Sequence, residues 1–176
     1  MMPLKAKYEH RWIVFLGVLA VLVSSCGYRF AGQGNLPGGI PDLRVAVFEN
    51  RTSETGVENI VTRYLIDEFV RRGVKAGGGP DGAHAVLSGS VESLQIHTIS
   101  RSGQQTALER KVLLSVNIKL TGTDGVTLWA EQGLTAGEAY NVESDKPSTE
   151  QSRAAAIEKI VRRLAEVVYT RMTDGF

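Results

Sequence analysis

The clearest pattern in the chain is a two-residue alternation near its centre. Leu108, Val112, Leu114, Val116, Ile118 and Leu120 share one parity, and Lys111, Ser115, Asn117 and Lys119 share the other. Successive strand side chains point to opposite faces, so the segment predicts a strand with one buried face and one polar face. Thr123-Asp124-Gly125 supplies turn residues, and residues 126–140 read as the strand returning antiparallel beside it. Upstream, residues 85–100 alternate as Leu87, Gly89, Val91 and then change phase to Leu94, Ile96, Thr98, which predicts a bulge or bend within one strand. Leu43-Arg44-Val45-Ala46-Val47-Phe48 is β-branched and nearly all apolar, as expected of an interior strand.

Two other segments have the helical period. Val57, Ile60, Val61, Tyr64, Leu65 and Phe69 lie on one face, mostly opposite Glu58, Arg63, Asp67 and Arg71, and Gly73 is placed to end that helix in the left-handed conformation. Ile157, Ile160, Val161, Leu164, Val168 and Met172 form a second stripe among Arg153, Lys159, Arg162 and Arg163; Ser148 with Gln151 three residues on predicts a capping box at its start. Gly77-Gly78-Gly79-Pro80-Asp81-Gly82 reads as a turn. The order β-α-β-β-β-α predicts an α+β fold. It is a two-layer sandwich in which a mixed four-stranded sheet carries both helices on one face, the first helix crossing over to make the first two strands parallel.

The amino-terminal residues follow another logic. Lys5, Lys7 and Arg11 precede an apolar stretch at residues 13–23, and Val23-Ser24-Ser25-Cys26 follows as a lipobox, so residues 1–25 read as a lipoprotein signal peptide. That stretch is shorter than the roughly 20 apolar residues of a spanning helix. Cys26 is the expected lipidation site, carrying a thioether-linked diacylglycerol and an N-linked acyl chain, and two or more chains make membrane attachment stable. Gly27 is permissive for transport to the outer membrane, so the expected location is the outer membrane, anchored by lipid on its periplasmic side. Residues 26–41, with Gly32, Gly34, Pro37, Gly38, Gly39 and Pro41, read as the lipidated tether, and residues 42–176 as one domain.

Charge and cysteine content narrow the function. Without residues 1–25 the chain has 17 basic against 18 acidic residues, so it lacks the basic excess that nucleic acid binding calls for. Cys26 is the single cysteine; once acylated it leaves no thiol for a disulfide or a thiolate metal site. His84 and His97 have no metal-ligand partner at helical spacing and are expected to be structural. The glycine run at 77–79 lacks the Gly-Lys-Ser/Thr of a phosphate loop, and no serine sits in a Gly-x-Ser-x-Gly elbow. Asn50-Arg51-Thr52 matches a glycosylation sequon, discounted in a bacterial lipoprotein. The expectation is a non-enzymatic protein without metal or cofactor.

Several motifs act in combination. Cys26-Gly27-Tyr28-Arg29-Phe30, Leu36-Pro37, Val45-Ala46-Val47-Phe48-Glu49-Asn50-Arg51-Thr52 ahead of an amphipathic helix, and Arg101-Ser102-Gly103-Gln104 leading into Ser115-Val116-Asn117 run through the chain after the signal. Together they resemble the lipopolysaccharide-assembly lipoprotein family, LptE. The resemblance implies a lipoprotein that plugs the β-barrel LptD, assists its assembly and contacts lipopolysaccharide on its way to the outer leaflet. It also implies lipopolysaccharide contact at Arg101, in the Arg-x-Gly-Gln turn, and at Lys146, in Lys-x-x-x-Glu-Gln just before the last helix. Thr106-Ala107-Leu108-Glu109-Arg110 replaces the short aromatic-containing step of some relatives. The Val-Ala-Val-Phe-x-Asn-x-Thr opening is also similar to the amino-terminal domains of TolB-like and curli-secretion-type lipoproteins, making a protein-interaction module of another envelope system the alternative. The long Arg-Ser-Gly-Gln hairpin and the final helix separate the two.

Overall fold

The computed structural model describes residues 36–77, 82–101, 103 and 107–174. A 3-10 turn at Pro37–Gly39 is followed by β1 (Asp42–Val45), β2 (Glu49–Asn50), α1 (Val57–Arg71), β3 (Lys75–Ala76), β4 (Ala85–Arg101), β5 (Ala107–Gly122), β6 (Thr127–Asn141) and α2 (Lys146–Thr173). The fold is α+β with a mixed sheet, as the periodicity predicted. Among the described residues the strands number six rather than four, ordered β3-β1-β4-β5-β6, with β2 beside β4 beyond the end of β1.

Both extra strands have physical causes. The run at 43–48 does not continue as one strand, because the Phe48 amide donates to Thr62 Oγ1 of α1 at 3.1 Å while its ring turns into the core. The chain leaves the sheet after the Ala46 amide bonds the Leu87 carbonyl and returns as β2 opposite Ser90 and Val91. β3 has only two residues, too few to show a period, and lies parallel to β1. The predicted crossover holds: β1 and β2 are both parallel to β4, while β4–β5 and β5–β6 are antiparallel. At the other hairpin the Gly122 amide bonds the Val126 carbonyl across Thr123-Asp124-Gly125, as the turn residues predicted.

The phase change in β4 is a bulge. Val91 pairs with Val116 and Ser93 with Ser115, so Glu92 is the extra residue. β6 carries its own bulge, where Val116 faces Leu134 but Ile118 faces Glu131, and Gly133 adopts the left-handed φ of 65° that this offset needs.

α1 ends as predicted. The Gly73 amide bonds the Val70 carbonyl and the Val74 amide the Phe69 carbonyl, a Schellman arrangement with Gly73 at a φ of 82°. The buried face of α1 includes Glu68, 4 % exposed, which its polar identity did not predict. Arg71 and Arg72 of the last turn pair with its carboxylate, offsetting the desolvation of the charge.

The cap of α2 differs from the expected Ser148–Gln151 box. Asp145 is the N-cap, its Oδ1 accepting the Ser148 amide at 2.9 Å, and Lys146 and Pro147 occupy the first turn. Proline is suited to that turn because its φ is already helical and it has no amide to satisfy. Thr149 Oγ1 adds a bond to the Asp145 carbonyl at 3.0 Å. The whole predicted stripe from Ile157 to Met172 is buried.

The core lies between the helices and the sheet. Phe69 and Tyr169 meet edge to face at 5.5 Å between centroids, joining α1 to α2. Leu87, Val91, Val112, Leu114, Val116 and Leu120 are buried beneath them, each such side chain contributing roughly 1.5–3 kcal/mol. Leu108, which shares their parity, is 49 % exposed because register shifts carry it past this layer. Leu36 and Pro37 are buried too, so the end of the predicted tether is seated against the domain.

Candidate functional site

The ends of three strands and the start of a helix converge. β4 finishes at Arg101, opposite Ala107; Glu109 pairs with Ser100 on one side and Asn141 on the other; the Val142 amide bonds the Leu108 carbonyl. α2 begins at Lys146. The two cations singled out in the sequence, Arg101 and Lys146, therefore stand at the same end of the sheet, both exposed. Lys146 lies within the first turn of α2 rather than before it, where a cation opposes the helix dipole and the adjacent Asp145 compensates. Cys26, Gly27-Tyr28-Arg29-Phe30, Ser102 and Gln104 lie outside the described residues.

This end has two further features. Arg110 pairs across to Thr98 and Tyr140, adding a third cation. Ile96, Ile99 and Leu108 are 42 %, 50 % and 49 % exposed. Register shifts at Thr98/Ser100 and Ser100/Arg101 turn the strand tips away from the core, which exposes Ile99 and Leu108. Guanidinium groups beside exposed aliphatic side chains can meet a molecule that carries both phosphates and acyl chains. Apart from the phase change, the sequence had no signal for this exposure.

A second polar group lies on the sheet face away from the helices. Glu92, on the β4 bulge, accepts from Ser90 Oγ at 2.5 Å, Asn117 Nδ2 at 2.9 Å and Arg51 Nη1 at 3.1 Å. The Ser90 hydroxyl, and then the Arg51 charge, hold the Glu92 carboxyl below the usual carboxylate range. Asn117 Oδ1 accepts the Gly133 amide at 2.7 Å. Arg51, Ser90, Asn117, Lys119 and Gln132 line a shallow depression of about 520 Å³ on this face.

The Asn50-Arg51-Thr52 segment is a structural turn. Asn50 Oδ1 accepts from the Thr52 amide and hydroxyl, and its Nδ2 donates to the Glu54 carbonyl and Glu58 Oε2 at 2.7 and 2.8 Å. The loop so formed presents Glu54 to Arg153 in a two-point ion pair, tying it to the first turns of α2. The hydrogen bond to Glu54 raises the Arg153 pKa further, so the guanidinium stays charged.

His84 precedes β4, its Nδ1 2.9 Å from Asp42 Oδ1, and His97 stands beside Gln95. Among the described residues there is no cluster of metal-ligating side chains, and no helix is long and apolar enough to cross a membrane.

Comparison with known proteins gives these features a family. The family model LptE, described as lipopolysaccharide-assembly, matches residues 40–172, a span that includes Arg101 and Lys146 and omits Cys26. The chain belongs to the LptE family. As a member it is a non-enzymatic lipoprotein of lipopolysaccharide assembly. Its fold is similar to that of lipoprotein B from Nitrosomonas europaea, at 11 % identity, 84 % of this chain, 90 % of that chain and a TM-score of 0.57. The rare lipoprotein B from Shewanella oneidensis is similar at 12 % identity, 75 % of this chain, 95 % of that chain and a TM-score of 0.55. Such identities establish a shared fold. No curated protein matches the chain in sequence.

Proposed function

We propose that this LptE-family protein is an outer-membrane lipoprotein, fastened through acylated Cys26, that plugs an LptD-type β-barrel, helps it assemble and supports lipopolysaccharide transport to the outer leaflet. The family match over residues 40–172 carries this reading. In it, Arg101 and Lys146 bind lipid A phosphates in competition with bridging divalent cations, and Ile99 and Leu108 meet acyl chains. The polar face around Asn117 and Lys119 suits a water-lined barrel lumen. The anchor holds the domain at the membrane, and no metal or cofactor takes part.

The test is co-purification of the full-length lipoprotein from outer membranes in mild detergent. A complex with a β-barrel protein several times its mass supports the reading; a monodisperse lipoprotein without a barrel partner overturns it. Cys26→Ala is expected to release the protein from the membrane fraction, and unchanged fractionation would remove the anchor.

A further inference from the structure

The two edges of the sheet are not equally protected. β6 is interrupted by its Gly133 bulge, and its Glu131 and Glu138 are ion-paired with Arg171, Lys159 and Arg163 of α2. Bulges and charges of this kind keep a further strand from adding. On the opposite side the outer edge of β4 is taken by β1 at Val86 and Leu87 and by β2 at Ser90 and Val91, ending with the Arg51 amide on the Val91 carbonyl. Among the described residues no strand pairs with the outer edge of residues 93–100. That stretch reads Ser-Leu-Gln-Ile-His-Thr-Ile-Ser, without Lys, Arg, Asp, Glu or Pro, and residues 95–99 are exposed one after another, so both faces are open.

The backbone direction can be assigned. The Leu87 and Val91 carbonyls point outward, to the Ala46 and Arg51 amides, and both side chains lie on the helix side of the sheet. Along a strand the side-chain face and the direction of the backbone groups alternate together. Beyond the Glu92 bulge the helix-side residues are Leu94, Ile96 and Thr98, opposite Leu114, Val112 and Arg110. Their N–H and C=O groups are therefore the ones directed at the open edge.

We propose that this edge accepts an extended, uncharged segment of the barrel partner as an added strand over Leu94, Ile96 and Thr98, an inference that rests on the barrel partnership proposed above. An uncharged occupant suits this edge because residues 93–100 include no Lys, Arg, Asp or Glu to pair with and Glu92 is already held by Arg51. It is a single extended segment because the open edge is only about 25 Å long at roughly 3.3 Å per residue. A flexible segment gains ladder hydrogen bonds and also lays alternate side chains beside Ile96.

Residue-resolved hydrogen–deuterium exchange on the full-length lipoprotein, alone in detergent and in complex with its co-purified barrel, tests this. Alone, the Leu94, Ile96 and Thr98 amides are expected to exchange quickly and those of Gln95 and His97, directed at β5, slowly. In the complex the first three should slow by about tenfold or more. Ile96→Pro, which removes an outward donor and spares the β4–β5 ladder, should lower the yield of complex. A complex that forms with these amides still fast sinks the edge inference and leaves the barrel reading standing; absence of any barrel complex sinks both. Protection that appears in the lipoprotein alone as its concentration rises assigns the edge to a second copy, and protection by lipopolysaccharide micelles alone assigns it to lipid; either overturns the proposal.

Discussion

Asn117 donates its Nδ2 to Glu92 Oε1 at 2.9 Å, and through its Oδ1 it also holds the Gly133 amide at 2.7 Å. One side chain on the middle strand of the three long strands thus secures the bulges of both neighbours. At Gly133 the bond satisfies a backbone amide that the bulge takes out of ladder register, and at Glu92 it holds the side chain of the extra residue against the middle strand.

Asn117→Ala removes both bonds. The expected cost is about 1–2 kcal/mol, read as a lower urea midpoint. Asn117→Asp keeps the acceptor for Gly133 but sets a carboxylate against Glu92, so its deficit should be larger at pH 7 than at pH 4. Equal deficits would show that the Glu92 contact contributes nothing.

Gly89 is a site of close approach. A Cβ there would stand 2.2 Å from the Asn117 carbonyl oxygen and 2.6 Å from Phe48 Cε1. Gly89→Ala therefore requires the β4–β5 backbone to move and is expected to cost about 1–3 kcal/mol. Thermal unfolding checks it, and a wild-type midpoint would contradict the packing described here.

Lys146 offers a separation of stability from binding. Lys146→Glu places an anion in the first turn of α2, where the helix dipole favours it by about 0.3–1 kcal/mol. Melting temperature should stay level or rise while lipopolysaccharide capture in a pull-down falls. Capture equal to wild type would remove Lys146 from the binding end.

Arg101→Asp at the exposed end of β4 should weaken lipopolysaccharide capture without loss of the folded circular dichroism spectrum. Unchanged capture would assign the contact elsewhere on that end.

Acid should weaken the fold through identifiable carboxylates. Asp42 and Asp145 lie below their ordinary 3.8, chiefly through the His84 and Ser148 amides. Glu92 and Glu138 lie below their ordinary 4.5, chiefly through the Ser90 hydroxyl and Lys159. Each binds its proton less readily when folded than when unfolded. The stabilisation is complete above the unfolded values and is lost as pH falls through the lower folded ones. The urea midpoint should be level from neutral pH to about 5 and decline below, with a shallower decline in Glu92→Gln. An identical slope in that variant would exclude Glu92 from the effect.

The elements legible from the amino-acid order are those whose signal is local and periodic: the alternation of β5, the stripes of α1 and α2, the Gly73 stop and the phase change that becomes the Glu92 bulge. These were legible because side-chain direction repeats every two residues in a strand and about every 3.6 in a helix. Long-range packing is what lets Thr62 draw Phe48 out of the first strand, leaves Leu108 exposed despite its parity, and sets Asn117 between Glu92 and Gly133. It also brought Arg101 and Lys146 to one end of the sheet while leaving residues 93–100 on an open edge. Those outcomes depend on groups far apart in the chain competing for the same hydrogen bonds and buried space, which no local period encodes.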